Sequence, residues 1–173
     1  MSVEFVEVPP LEYKSTCDVC DDLGDSAMIP SGLQWKLYGG KKQYCGYAVT
    51  IQCFDDNTWV KDLIESSIGV GKILVIDAEK STNCAIIGDG IAKMAVENKW
   101  EGIIVYGCVR DVEGLSKLDI GIHAIGNVPK KSKPNGGQKN GMAGEPITIE
   151  NVSISTGDKI YADMDGVVFV KAG

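Results

Sequence analysis

One histidine, three phenylalanines and three tryptophans are all that 173 residues supply of those types. The lone His123 leaves no His pair to complete a zinc site beside Cys17-x-x-Cys20, and there is no second CxxC. In "GIHAIG" that histidine occupies a strand-like position, where a packed or surface role outweighs a catalytic one. Long apolar runs are missing as well. The longest, such as "GIIVYGCV", are strand-sized and far too short to cross a bilayer. "MSVEFVEVPPLEYKST" carries Glu4, Glu7 and Glu12 and has no apolar centre, so it reads as neither signal nor transit peptide. A cytoplasmic protein is expected. No internal repeat is visible.

Positive charge is scarce: 17 Lys and Arg face 24 Asp and Glu, a net charge of −7. A broad phosphate-binding surface needs clustered cations, so direct nucleic-acid binding is disfavoured. Docking onto a basic protein partner stays open, because complementary fields steer association. Six cysteines invite a disulfide reading, but a chain this long buries roughly 70% of its unfolded surface without staples. Reduced, mostly buried thiols are expected.

What is present is glycine, 21 residues of it, and a regular succession of strand and helix patterns. Ser15–Asp25 reads as a short capped helix ended by Gly24. "YGGKKQYCGYAVTIQCF" is strand-rich, and "TWVKDLIESS" places Val60, Leu63 and Ile64 on one helical face. "GKILVIDA" and "EGIIVYGCV" are continuous apolar runs, the mark of strands covered on both faces. Between them "GDGIAKMAVENKW" has helical spacing through Ile91, Met94, Ala95 and Asn98. Lys72–Val109 is therefore predicted to be strand, loop, helix, strand, a βαβ unit. "LDIGIHAIGNVP" adds a strand. The basic, Gly- and Asn-rich stretch at about 130–141 is expected to be a mobile loop. The tail alternates like strands, with turns at Gly157-Asp158 and Asp165-Gly166. The expectation is one α/β domain over 1–173, with a parallel core and antiparallel C-terminal strands.

A right-handed crossover returns the chain to the edge from which it left. The helix opening at Asp89 and the strand ending before Arg110-Asp111 have comparable lengths, so these three residues should meet at the carboxyl edge of the sheet, where α/β proteins place ligands. Gly88, Asp89, Gly90 and Ile91 would present helix N-terminal amides to an anion. Arg110 can grip a carboxylate with two N–H groups. Asp89 and Asp111 are hard oxygen donors suited to a hydrated Mg²⁺. A plainer reading stands beside this one: Asp89 as a helix cap and Arg110 bridging to Asp111 or Asp89.

The chain resembles the RraA-like family, which unites regulators of ribonuclease activity A with class II 4-hydroxy-4-methyl-2-oxoglutarate aldolases. The resemblance rests on "TCDVCDDL", "YGGKKQYCGYAVTIQCFDDN", "WEGIIVYGCVRDVEGL", "LDIGIHAIG" and "GDKIYADMDGVVFV". The aldolase motif, an acid followed after twenty residues by Arg-Asp, is matched by Asp89, Arg110 and Asp111. The resemblance implies a swivelling-type α/β/α fold with a mixed, largely parallel sheet, assembled as a homotrimer or a pair of trimers. It implies Arg110 and the amides of Gly88–Ile91 as the substrate-carboxylate site, Asp111 as the ligand of Mg²⁺ or Mn²⁺, and Asp89 as the holder of a catalytic water. The implied activity is cleavage of small 2-keto diacids to pyruvate, by aldol cleavage or by decarboxylation of oxaloacetate. The alternative is a non-catalytic regulator that binds an RNA-degrading endonuclease. The longer aldolases use a C-terminal acid that this sequence, ending at Gly173, does not match, which leaves the proton-transfer partner unassigned.

Among the remaining residues, Asp55 and Asp56 of "CFDDN" read as turn or cap residues, with a place lining the site left open. Asp163 and Asp165 read as turn residues. Trp35, Trp59 and Trp100 read as core or interface anchors.

Overall fold

The computed structural model describes residues 9–134 and 143–173. Part of the expected loop at 130–141 therefore lies outside the described residues. The parallel core consists of β2 (Tyr44–Gln52), β3 (Lys72–Asp77), β5 (Gly102–Val109) and β6 (Gly121–Asn127), running side by side in the order β6-β5-β3-β2. Antiparallel strands flank it: β1 (Lys36–Leu37) on β6, and β9 (Lys159–Asp163) then β10 (Gly166–Val170) beyond β2. Every residue of β5 is buried, as its unbroken apolar run requires of a central strand covered on both faces.

One face is closed by α2 (Thr58–Ser66) and α3 (Asp89–Glu97), with Leu115 of the short α4 (Val112–Leu115). Val60, Leu63 and Ile64 of α2 are buried as their spacing predicts. On α3 the buried centre is Ala92 and Ala95, and Ile91 and Met94 pack beside them half-buried. The hairpin of β7 (Ile147–Ile149) and β8 (Val152–Ile154) covers much of the other face. There Ile147, Ile149, Val152 and Ile154 meet Ile73, Val75 and Ile104. The helix α1 (Thr16–Leu23) lies against β9 and β10 and is capped by the Ser15 side chain.

The expected βαβ unit contains one element more than its sequence pattern shows. After β3 the chain turns and adds a three-residue strand, β4 (Ala85–Ile87), parallel to the end of β5. The helix α3 thus starts from β4 instead of β3. Three apolar residues are too few to show a period, so "AII" reads as loop until β5 supplies hydrogen-bonding partners.

Several single residues settle differently from their sequence reading. Asp163 does more than turn the chain. Buried at the end of β9, it accepts Thr16 N (2.8 Å), Thr16 Oγ1 (2.7 Å) and the Tyr13 hydroxyl (3.0 Å), fastening the N-terminal arm. Asp165 keeps the turn role, its N–H donating to Asp163 Oδ1. His123 is buried, as expected of a packed histidine. Trp100 is a core residue, stacked where a Gly69 side chain would collide with it, while Trp35 and Trp59 are partly buried against the two cores. Of the six free thiols only Cys53, Cys84 and Cys108 are buried, because Cys17, Cys20 and Cys45 belong to the outer α1 and the start of β2.

Candidate active site

Gly88, Asp89, Gly90, Ile91, Arg110 and Asp111 all line one cleft of about 270 Å³ at the carboxyl end of the parallel strands. β4 delivers the chain to Gly88, and β5 delivers it to Arg110, whose N–H bonds Ile87 O at 2.9 Å. The two strand ends are thereby locked side by side, and the three charged residues of the motif meet there.

The polar contacts divide the roles differently from the cap-and-bridge reading. Gly88 is the N-cap of α3 and offers no side chain, and the Asp89 carboxylate has only the neighbouring Gly90 amide of its own helix beside it. The cap arrives from across the cleft: Asp89 N–H donates to Asp111 Oδ2 at 3.1 Å. Asp111 therefore occupies the anion-favouring end of the helix, and the Asp89 amide, expected to face a ligand, is already taken. The Arg110–Asp111 bridge is loose, 3.9 Å from Nε to Oδ2. Among the described residues the Arg110 side chain makes no hydrogen bond, so its N–H fork is available to a ligand.

Asp111 adopts φ 59° and ψ 43°, a left-handed conformation uncommon outside glycine and best tolerated by Asp and Asn. This turn stops β5 and starts α4 within one residue, which aims the carboxylate back at α3. Gly88 makes the approach possible, since a Cβ there would stand 2.6 Å from Asp111 Oδ2. Desolvation pushes the Asp89 carboxyl up, but Lys93 one turn along the helix, the hydrogen-bonded contact with Asp111 and the Gly90 amide outweigh it. Asp89 is held below the ordinary carboxylate range and is ionised at neutral pH.

Asn57, Ala85, Ile86, Lys131 and Ser132 complete the lining. Asn57 belongs to the "CFDDN" turn, and Lys131 and Ser132 to the start of the stretch expected to be a mobile loop, which is instead docked there. Asp56 of that turn caps α2 by accepting Thr58 N and Oγ1. Asp55 binds Ser81 Oγ and Asn83 Nδ2. Asn57 reaches the cleft, its amide donating to Ile86 O at 2.8 Å. Lys131 and Ser132 lie on a strap that pairs with Ala85, and nothing in a polar loop pattern signals such docking. A larger hollow, about 840 Å³, opens at the amino ends of the strands beside Pro9–Leu11; its charged lining is Lys41, Lys72 and Glu101, of which Lys41 and Glu101 are paired at 3.0 Å.

The donor set fits a hydrated hard cation. Asp89 and Asp111 supply two carboxylates, each about 40% exposed. No group of three or more His, Cys, Asp or Glu able to hold a metal occurs among the described residues. Two carboxylates would leave most of the shell of a hard cation to water or substrate oxygens.

A largely parallel sheet ending in a cleft lined by two acids and a guanidinium at a helix N-terminus defines an α/β protein with one candidate site. The family model described as RraA-like, Aldolase/RraA, matches residues 16–169, and the chain belongs to that family. It is 46% identical over 153 residues, 88% of this chain and 93% of the relative, to a protein of Alcanivorax borkumensis named "Putative 4-hydroxy-4-methyl-2-oxoglutarate aldolase". The structure of the RNA-processing inhibitor RraA from Thermus thermophilis superposes with a TM-score of 0.82 at 31% identity, covering 94% of this chain and 97% of that one. A Geobacillus kaustophilus structure described as S-adenosylmethionine: 2-dimethylmenaquinone methyltransferase gives 0.84 at 34% identity, over 92% and 100%. Three activities are thus named on one fold, so function has to be argued from the cleft.

Proposed function

We propose that this chain is a cytoplasmic, divalent-metal-dependent lyase that cleaves small 2-keto diacids to pyruvate, acting on 4-hydroxy-4-methyl-2-oxoglutarate, on oxaloacetate, or on both. The observation that carries this reading is the meeting of Asp89, Arg110 and Asp111 in one cleft, where Arg110 has only a loose contact with Asp111 among the described residues. The aldolase name of the relatives at 46% and 42% identity supports it.

Arg110 holds the carboxylate next to the keto group and keeps the reacting bond in a fixed direction. Asp111 and Asp89 would hold the cation, which supplies Lewis acidity to the keto oxygen when bound. As the bond between C3 and C4 breaks, its electron pair moves towards the keto group, and Arg110 stabilises the growing negative charge. In aldol cleavage the C4 hydroxyl gives up a proton. The carbon left on the pyruvate side must then gain one. Asp89, ionised at neutral pH, orients the water through which those protons pass. Decarboxylation of oxaloacetate needs only the second transfer, so a cleft built for one reaction can serve the other.

Pyruvate release should require Mg²⁺ or Mn²⁺ for both substrates. Release that persists undiminished in excess chelator, or in Arg110→Ala, overturns the proposal.

The likeness to the Thermus RraA and the net charge of −7 favour a second reading, a regulator that binds an RNA-degrading endonuclease as a protein. It predicts salt-sensitive capture of such a nuclease, and capture that ignores salt, or none, removes it. Either reading carries the implied homotrimer or pair of trimers, which light scattering tests directly.

A further inference from the structure

We infer that Lys131 is the specificity-determining cation of the cleft, taking the second carboxylate of a dicarboxylic 2-keto acid while Arg110 takes the first. The inference rests on reading the cleft as a keto-acid site and adds which keto acids it prefers.

Three observations carry it. First, the charges in and beside the cleft are already apportioned. Lys93 is paired with Asp89, and Arg110 has only its loose contact with Asp111. Lys131 lines the same cleft and, among the described residues, its ammonium forms no ion pair. An exposed cation on a cleft wall with no ion pair among the described residues is matched most simply by an anionic group of the ligand.

Second, Lys131 stands on fixed backbone. Ala85 N–H donates to Lys130 O at 2.7 Å, Ser132 N–H to Ala85 O at 3.3 Å, and Lys133 N–H to Asp55 O at 3.4 Å. The strap follows β4 as a parallel neighbour, bridging Ala85 to Lys131. Adjacent side chains on such a segment alternate in direction. The charge of Lys130 bears on Asp55, whereas Lys131 joins the cleft.

Third, β4 lies between the two cations. Ala85 is the partner of Cys108 on β5, which leads to Arg110, and of Lys131 on the strap. Two neighbouring strand spacings put the supporting backbones roughly 9–10 Å apart. Both side chains reach inward from there. A monocarboxylate held by Arg110 leaves Lys131 unsatisfied, whereas a four- to six-carbon diacid offers a carboxylate to each. Lysine suits the distal position, because a compact charge on a flexible stem tolerates acids of different length where a guanidinium fork would not.

The test uses the full-length protein in Mg²⁺ buffer with two unreactive probes, 2-oxoglutarate as diacid and 2-oxobutyrate as monoacid, titrated by calorimetry. Wild type should bind the diacid more tightly. In Lys131→Gln that preference should shrink about tenfold, the order expected when a charge-assisted hydrogen bond is lost. The ratio of kcat/KM for aldol cleavage of 4-hydroxy-4-methyl-2-oxoglutarate over 4-hydroxy-2-oxopentanoate, which lacks the distal carboxylate, should fall in parallel, and Lys131→Arg should restore part of it. A preference unchanged in Lys131→Gln, or equal losses for both probes, overturns the inference and leaves the lyase reading standing. Wild type that binds neither probe and forms no pyruvate overturns both.

Discussion

Asp89 N–H and Asp111 Oδ2 meet at 3.1 Å across 22 residues of chain, so the helix of the motif is capped by the acid at the far end of the motif. The proposed role of Asp111 in holding a cation would therefore fall on a side chain that also caps the helix.

Asp111→Asn separates charge from shape. Asparagine tolerates the left-handed backbone at φ 59°, and an amide oxygen still accepts the Asp89 N–H. Thermal stability should change by less than about 1 kcal/mol. Metal-dependent pyruvate formation should fall by about 100-fold, the order expected when a group that holds a catalytic cation is weakened. Retained activity at ordinary Mg²⁺ concentration would remove Asp111 from the metal site.

Arg110→Ala should lower kcat/KM by about 100-fold or more, since no other guanidinium lines the cleft. Arg110→Lys should recover little of this, because a point charge cannot reproduce the bidentate fork. Steady-state kinetics on both substrates reads the two variants. Full rescue by lysine would show that charge alone matters there.

Gly88→Ala should inactivate through geometry. The added Cβ would stand 2.6 Å from Asp111 Oδ2, so the Asp111 carboxylate must shift, while Arg110 Cγ at 3.4 Å is in ordinary contact. The expected signature is a large fall in kcat with a melting temperature within a few degrees of wild type, since the strain falls on a half-exposed side chain. Gly90→Ala is the control, because nothing stands within 4 Å of its Cβ. Equal effects from the two substitutions would discredit the steric account.

Stability should depend on pH through His123. Its Nε2 donates to the Asp163 carbonyl at 2.9 Å, and its Nδ1 accepts the Tyr44 hydroxyl at 2.5 Å, so the buried ring is neutral. Burial lowers its pKa from 6.5 to about 4. Between those values the unfolded chain binds more protons than the folded one. The contribution is therefore complete above pH 6.5 and is lost as pH falls towards 4, on the order of 3 kcal/mol in all. Denaturant titrations across that window should show the slope, and His123→Gln should flatten it. A wild-type profile that is flat from pH 6.5 to 4 contradicts this assignment.

The sequence by itself determined the long strands and helices and the meeting of the motif. Apolar runs such as Gly102–Val109 admit only a strand covered on both faces, and the crossover rule then returns Arg110-Asp111 to the level of Asp89. Tertiary structure alone decided how these residues divide their roles. Whether Asp89 caps its own helix, whether Arg110 is spent in a bridge, and whether Lys131 stands over the cleft depend on side-chain directions and on contacts between distant segments. No local pattern encodes those. The short β4 exists because β5 offers it hydrogen bonds, the strap docks because β4 is there, and Asp111 reaches α3 because Gly88 leaves the space. Each of these follows from a neighbour that the chain meets only once it is folded.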